Sequence, residues 1–411
     1  MDLLPLPCAG VLMERVRSLP AAAALLECLD DPPAVHLVGG AVRDLLLGEQ
    51  PVDLDLVVAT DAASFARRLG GELRVHDRFG TSTVRRDRFS YDIARARRET
   101  YARPGALPDV APAGLAEDLL RRDFSVNAIA IALSGPLAGE ISAAPCALEN
   151  LRARRLCVLH DRSFVDDPTR LLRLVRYSTR LGFGIGASTR ELVRSAVRDH
   201  LLSSVSTERV GTELRLLARE RDPVAAMEQL GELGLDRGID PGFALRDPAL
   251  ARRSLRLLSA HGRRTVVVLA LAADRMPARE LAGLLDRLAF GAGERDSILA
   301  AATRSQRLAR SLAGVTTPSE IADAVAGADP ELVAIAGARG TARAARAATD
   351  WLERLRHVGL EIDGADLLAA GVAEGPAIGR ALRAALAAKR DGRSGGREEE
   401  LARALEALEG G

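Results

Sequence analysis

At 411 residues the chain is longer than one ordinary domain, and 47% hydrophobic with 27% charged residues excludes a disordered polymer. Aromatic residues make up only 3%, so leucine, valine and alanine must fill the cores, a profile that suits a largely helical protein. A net charge of +1 neither demands nor excludes a nucleic-acid partner, but seventeen arginines face twelve acids between Val84 and Arg180, enough for one basic face.

The four cysteines, Cys8, Cys28, Cys146 and Cys157, show neither metal-ligand nor disulfide spacing and read as free thiols of a reducing compartment. The first residues lack the basic start and apolar core of a signal peptide. The longest apolar run, near Val266 to Ala273, falls far short of a membrane span. A cytoplasmic protein with no membrane partner is expected.

Apolar residues at helical spacing predict a first helix over 11–30. Val35-His36-Leu37-Val38 is a short buried-strand pattern that stops at Gly39-Gly40, and Ala41 to Leu47 is helical up to the C-cap candidate Gly48. Val52 to Val58 reads as a second strand, and Asp61 caps a helix running to about Leu69. Short strands follow near 73–75, 82–86 and 91–94. Glycine, prolines and small residues in the stretch from Arg97 to Leu120 (Pro104-Gly105-Ala106-Leu107-Pro108) predict a mobile loop. Strand and helix patterns alternate to about Leu159; after Pro168 every segment is helix-patterned, with breaks near 182–186, 221–223, 236–241 and 291–293. Asp391–Arg397 looks like a flexible linker before a short terminal helix. The fold class expected is α+β: an N-terminal head with a small mixed β-sheet, then an elongated all-helical body.

Chemistry concentrates in the head. Two glycines between a strand and a helix, Gly39 and Gly40, let backbone N–H groups approach a ligand closely, and the helix start favours phosphate. Arg43 in the first turn could reach the same oxygens. In the next strand Asp53 and Asp55 are two apart and project from one face, a natural holder for Mg²⁺. Asp92, on a neighbouring strand, is a candidate third carboxylate. Further on, Arg122-Asp123 and Asp166-Asp167-Pro168-Thr169-Arg170 carry charge at helix starts, and Arg170, Arg173, Arg176 and Arg180 share one helix face opposite Leu171, Leu172, Leu174 and Val175.

Taken in order, Leu37 to Asp55, Glu117 to Ala128, Asp166 to Arg173 with Leu181-Gly182-Phe183, and Ser206-Thr207-Glu208-Arg209 with Glu213 and Leu216-Leu217 resemble the class II tRNA nucleotidyltransferases and bacterial poly(A) polymerases, within the DNA polymerase β superfamily. The resemblance covers about residues 35–217. It implies a nucleotidyltransferase head over 1–160, a helical nucleotide-recognition neck over 161–225, a helical tRNA-binding body and tail over 226–390, and a linker with a terminal helix over 391–411. It implies catalysis by Asp53 and Asp55 holding Mg²⁺, and nucleotide binding by Gly39, Gly40, Arg43, Arg122, Asp123, Asp167, Arg170, Arg173 and Arg176. Asp123 would accept from the ribose 2′-OH, since an ionised carboxylate only accepts and a hydroxyl can donate. Asp167 and Arg170 would read the incoming base: a carboxylate beside a guanidinium matches the pairing edges of cytosine and adenine. The loop between the first two motifs would help the switch to adenosine.

The function implied is template-independent addition of C and A to the tRNA 3′ end from CTP and ATP. An A-adding, a CC-adding or a poly(A)-adding enzyme shares every motif, although the intact Pro-Gly-Ala-Leu-Pro loop points away from CC-only addition. So does the acidic Glu398-Glu399-Glu400 from a poly(A) polymerase with a basic tail. A silent RNA-binding module would have lost a metal carboxylate, and a small-molecule nucleotidyltransferase would lack the arginine helix. One departure stands out: where the family has an Asp-Pro-Phe/Tyr-Gly-Gly turn, this chain has Ser142-Ala143-Ala144-Pro145-Cys146-Ala147-Leu148.

Overall fold

The computed structural model describes residues 7–29, 34–76 and 80–409. The chain divides into two compact units, Met1–Glu213 with Leu233–Gly238, and Leu214–Glu232 with Ile239–Gly411.

The first unit is built on a mixed sheet. Its strands are β1 (Val35–Val38), β2 (Asp53–Val58), β3 (Glu72–His76), β4 (Thr81–Arg86) and β5 (Phe89–Arg95), then β6 (Arg97–Thr100), β7 (Asp109–Pro112), β8 (Ile129–Ala132) and β9 (Ile141–Ala143). Seven of them hydrogen-bond in the order β3-β4-β5-β2-β1-β8-β9, and β6 and β7 form a separate two-stranded sheet. Within the seven, β2 and β5 run parallel and the other pairs are antiparallel. Central β8 (Ile-Ala-Ile-Ala) is wholly buried and β1 is buried except at half-buried His36, as their largely apolar sequences require. Helix Ala62–Leu69 lays Phe65 and Leu69 on the sheet, and Asp61 caps it by accepting from the Ser64 N–H at 2.8 Å.

Two local expectations are corrected. The single helix over 11–30 is broken: Ala9–Ser18 ends at extended Leu19, Pro20 opens a 3₁₀ turn, and a short helix Ala23–Leu26 follows. A proline cannot continue the helical ladder, so the chain turns there; residue 30 lies outside the described residues. The stretch predicted as a mobile loop contains the β6–β7 hairpin and helix Leu115–Leu120, so only 101–108 and the two residues 113–114 are irregular. And the altered turn at 142–148 keeps a left-handed backbone: Cys146 sits at φ 61, a conformation glycine adopts more readily.

After the sheet, helix Thr169–Leu181 buries Leu171, Leu172, Leu174 and Val175 and stops at Gly182, φ +64. Helices Ala187–Arg198 and Thr207–Ala218 follow.

Every secondary-structure element among the described residues of the second unit is a helix. Two helices, Arg264–Ala272 and Pro330–Arg339, are nearly enclosed, and the 23-residue helix Ala292–Gly314 packs against both. Small residues set the spacing there: a Cβ on Gly337 would come within 2.4 Å of the Ala348 Cβ. Near the C-terminus, Ile362, Leu367, Ala381, Ala385 and Ala404 form a separate small core. The segment 391–397 belongs to packed structure rather than a flexible linker: Asp391 accepts from the Ser319 N–H at 2.8 Å, and Ser394 is buried. The chain's single lysine, Lys389, ion-pairs with buried Glu400, which also accepts from the N–H groups of Glu361 and Ile362. No helix among the described residues is long and apolar enough to cross a membrane.

Candidate active site

A cleft of 1220 Å³ opens within the first unit, walled by Gly39, Asp55, Asp92, Asp123, Asp167 and Arg173 among others. Its floor is the end of β1. Gly39 has φ +73, and a Cβ there would stand 2.9 Å from Arg122 Nη1 and 3.2 Å from Asp55 Oδ2. The first glycine of the pair is therefore required twice, for its left-handed backbone and for the close approach of a guanidinium and a carboxylate.

The carboxylates follow from strand register. Parallel pairing of β2 with β5 sets Asp55 level with Asp92 and Asp53 level with Ser90, so Asp53, Asp55 and Asp92 share one face. Thr83, level with Asp92 on β4, donates its hydroxyl to Asp92 Oδ1 at 2.6 Å. Burial pushes the Asp55 carboxyl up to about 6, and neighbouring Asp92 and Asp53 push the same way against the pull of Arg122 and Arg43. Asp53 is exposed and lies outside the cleft wall.

Arg43 also lies behind the wall, although a first-turn arginine was expected to reach the ligand. It is 3% exposed, donates from Nη1 to Asn127 Oδ1 at 2.5 Å, and pairs with Asp44. Its guanidinium lies 5.5 Å from the Tyr177 ring centroid, as those of Arg173 and Arg176 do at 5.6 and 5.1 Å. With Arg180 at 5.9 Å, four cations crowd one aromatic ring, and Arg43, Arg173 and Arg176 are each anchored by a carboxylate or an amide. Arg176, off the wall too, ion-pairs with Glu213 at 3.3 Å.

Asp123 is 8% exposed, and its lone pairs are heavily used. Oδ2 accepts from Arg173 Nε at 3.0 Å and Nη2 at 2.6 Å, while Oδ1 accepts from the Phe124 N–H and from Asn127 Nδ2. Burial alone would raise its pKa, but Arg173 and the Asn127 amide win and hold it down to about 2. A 2′-OH would have to share an oxygen with these donors, so the structure makes Asp123 first an anchor for Arg173. One residue earlier, Arg122 is tied to fully buried Asp118 at 3.1 Å, and Asp118 also takes Arg121 and the Arg97 N–H. Arg122 Nε is buried and has no partner among the described residues.

The expected base readers lie together on the opposite wall. Asp167 accepts from the Thr169 N–H at 3.1 Å, its hydroxyl at 2.7 Å and Arg209 Nη2 at 2.8 Å, all on Oδ1. Arg170, 5% exposed, donates to Ser163 Oγ and to the Arg121 carbonyl, both at 2.7 Å. Arg209 has a role that the sequence did not disclose: its other amine donates to the Gly105 carbonyl at 3.1 Å. Gly105 has φ +70, and a Cβ there would lie 2.5 Å from the Ser204 carbonyl. The 101–108 loop is thus fastened at its glycine, and one guanidinium joins it to Asp167. Only the motif match at Ser206–Arg209 pointed to this residue; the contacts span 42 and 104 positions and leave no local pattern.

Residues 35–156 match the poly(A) polymerase head domain. The chain is 41% identical over 216 residues to an A-adding tRNA nucleotidyltransferase of Geobacter sulfurreducens, covering 51% of this chain and 24% of that one. It spans only about a quarter to a half of the length of the A-adding relatives it matches. To a CC-adding tRNA nucleotidyltransferase of Deinococcus radiodurans it is 34% identical over 351 residues, 84% of this chain and 82% of that one. The fold is similar to that of the Thermotoga maritima CCA-adding enzyme in complex with tRNA, with a TM-score of 0.78, 26% identity, and coverage of 99% of this chain and 100% of that one.

Proposed function

The chain belongs to the class II tRNA nucleotidyltransferase and poly(A) polymerase family, and we propose that it adds C and A to the 3′ end of tRNA from CTP and ATP, releasing pyrophosphate, in the cytoplasm. The observation that carries this reading is the convergence on one cleft of Asp55 and Asp92 on one side and Asp167, Arg170 and Arg173 on the other.

In the reaction the terminal RNA hydroxyl attacks the α-phosphate of the incoming nucleotide. A new ester P–O bond forms, the bond from the α-phosphorus to the bridging oxygen breaks, and pyrophosphate departs with both electrons. The donor set suits a divalent cation: three carboxylates share a strand face, and burial with mutual repulsion raises Asp55, a burden that a cation relieves. Among the described residues no three such side chains close a metal site by themselves, so phosphate oxygens would complete it. Mg²⁺ held by Asp53 and Asp55 would acidify the attacking hydroxyl and neutralise charge on the leaving group.

The other residues position. Arg122, with its Nη1 beside Gly39 and its Nε buried without a partner among the described residues, and Arg173, locked by Asp123, present cations to a triphosphate. Asp167 keeps its bonds on Oδ1, which leaves Oδ2 to accept from an exocyclic amine of cytosine or adenine. Fastening of the loop at Gly105 to Arg209, and so to Asp167, supports addition of adenosine as well as cytidine by one site.

The test supplies CTP and ATP, singly and together, to tRNA lacking CCA, tRNA ending in CC, and an unstructured RNA. Addition of C, C and A to the first, followed by arrest, is expected. Extension of the CC-ending tRNA alone would make this an A-adding enzyme, addition stopping after two C residues a CC-adding one, and long tails on any RNA a poly(A) polymerase.

A further inference from the structure

Tyr177 is one of three tyrosines in the chain, and its ring gathers Arg43, Arg173, Arg176 and Arg180 at 5.5, 5.6, 5.1 and 5.9 Å from the centroid. Phe89, Phe290 and Trp351 each meet a single guanidinium among the described residues. Separate elements supply the cations around Tyr177. Arg173 and Arg180 lie one turn before and after it on helix Thr169–Leu181, with Arg176 beside it. Arg43 comes from helix Gly40–Leu46, which the glycine pair opens. A third segment holds the ring itself: fully buried Phe124, next to Asp123, meets it edge-on with centroids 5.8 Å apart.

Hydrogen bonds alone do not fix Arg173 or Arg176. Arg173 donates from Nε and Nη2, but both bonds end on one oxygen, Asp123 Oδ2, about which the guanidinium could roll. Its Nη1 stands 3.6 Å from Glu213 Oε1, beyond hydrogen-bond reach. Arg176 Nε and Glu213 Oε2 are buried without hydrogen-bond partners among the described residues, although the two side chains ion-pair at 3.3 Å. The negative face of the ring supplies the remaining restraint on both arginines. Burial raises the Tyr177 pKa and Asp123 pushes the same way, so the ring acts as a neutral phenol and not as a phenolate counter-ion.

We propose that Tyr177 is a positioning residue for the incoming nucleotide. Its ring shares the cleft wall with Arg173 and seats that cation against Arg43 and Arg176 behind the wall, and so sets where positive charge meets the triphosphate. This role rests on the nucleotidyltransferase reading of the cleft. The triphosphate is common to CTP and ATP, so the contribution of the ring is blind to the base, unlike that of Asp167 and Arg170.

The experiment measures the Kd of CTP and of ATP by isothermal titration calorimetry, with Mg²⁺ and without RNA. The proteins are the unaltered chain, Tyr177→Phe, the same position carrying pentafluorophenylalanine, and Tyr177→Leu. Fluorination removes the negative face of the ring at nearly constant shape, a change that a purely structural packing role would not register. Tyr177→Phe should bind both nucleotides like the unaltered protein. The pentafluoro ring should bind both about tenfold more weakly, and Tyr177→Leu at least as weakly. If Tyr177→Leu fails to fold, the two phenylalanine rings still decide the matter. Equal affinities for those two rings would overturn the seat, and so would a loss confined to one nucleotide. A loss in Tyr177→Phe as large as that of the fluorinated ring would overturn it too, and assign the effect to the hydroxyl. Failure of the unaltered chain to bind either nucleotide would overturn the nucleotidyltransferase reading instead.

Discussion

Arg173 and Arg307 are the same residue in opposite circumstances. Arg173 is gripped by Asp123 through two nitrogens, approached by Glu213 and pressed on Tyr177, so its position is settled before any ligand arrives. Arg307 stands exposed on a helix with no acid in reach. The contrast separates two uses of one chemistry. Around the cleft, positive charge is pre-organised and its geometry matters; along the helix the guanidinium stands in water and nothing fixes its position.

Removing a gripped arginine should therefore cost far more than removing a loose one. Arg173→Ala leaves the Asp123 carboxylate buried and stripped of its main partner, and should destabilise the fold by about 3 kcal/mol in urea unfolding followed by circular dichroism. A loss below about 0.5 kcal/mol, the range of ordinary surface changes, would break the comparison.

The same pair gives the comparison a pH dependence. The folded pKa of Asp123 is depressed to about 2, below its ordinary 3.8, so its contribution is complete above the unfolded value. It is lost as pH falls from about 4 through 2, and amounts to about 2 kcal/mol. Unfolding midpoints at pH 6, 4 and 3 should fall more steeply in the unaltered protein than in Asp123→Asn; parallel curves would contradict the assignment.

Arg209→Ala should act on function more than on folding. It releases both the Gly105 carbonyl and Asp167, and kcat/KM for ATP should drop about tenfold, or about 1.4 kcal/mol of transition-state stabilisation. The loss for CTP should be smaller if the fastened loop serves adenosine addition, and equal losses for both nucleotides would assign Arg209 to the base readers in general. The smallest effect is on the other side of the comparison: Arg307→Gln should leave stability within about 0.5 kcal/mol of the unaltered protein.

How much of this was legible in the sequence depends on how local the cause is. The double glycine, the Asp-x-Asp strand, the Asp61 cap and the apolar face of helix Thr169–Leu181 are set by neighbours within a turn or a strand, and each could be read directly. So could the division into a mixed-sheet head and helical segments. What stayed hidden depends on distant partners. Nothing local tells that Arg43 turns inward to Asn127, 84 positions away, or that Arg209 clips Gly105. The β6–β7 hairpin was hidden because its proline- and glycine-rich connection looks like free loop, although each end pairs with the other. Pro20, within a run of helical periodicity, was the visible signal that the first helix should stop, and the periodicity outweighed it wrongly. Nor does the sequence show that helices Ala292–Gly314 and Ala342–Glu353 meet at Gly340, where a Cβ would stand 3.5 Å from Ala309 Cβ and 2.6 Å from Ala344 Cβ.

The most direct measurement of the central claim is single-turnover incorporation of labelled CTP into tRNA lacking CCA, comparing the unaltered chain with Asp55→Asn. The cleft account predicts at least a thousandfold slower chemistry in Asp55→Asn, a loss of more than about 4 kcal/mol of transition-state stabilisation, with the Kd for tRNA unchanged. Incorporation by Asp55→Asn within a few-fold of the unaltered rate would contradict it and move catalysis away from this strand.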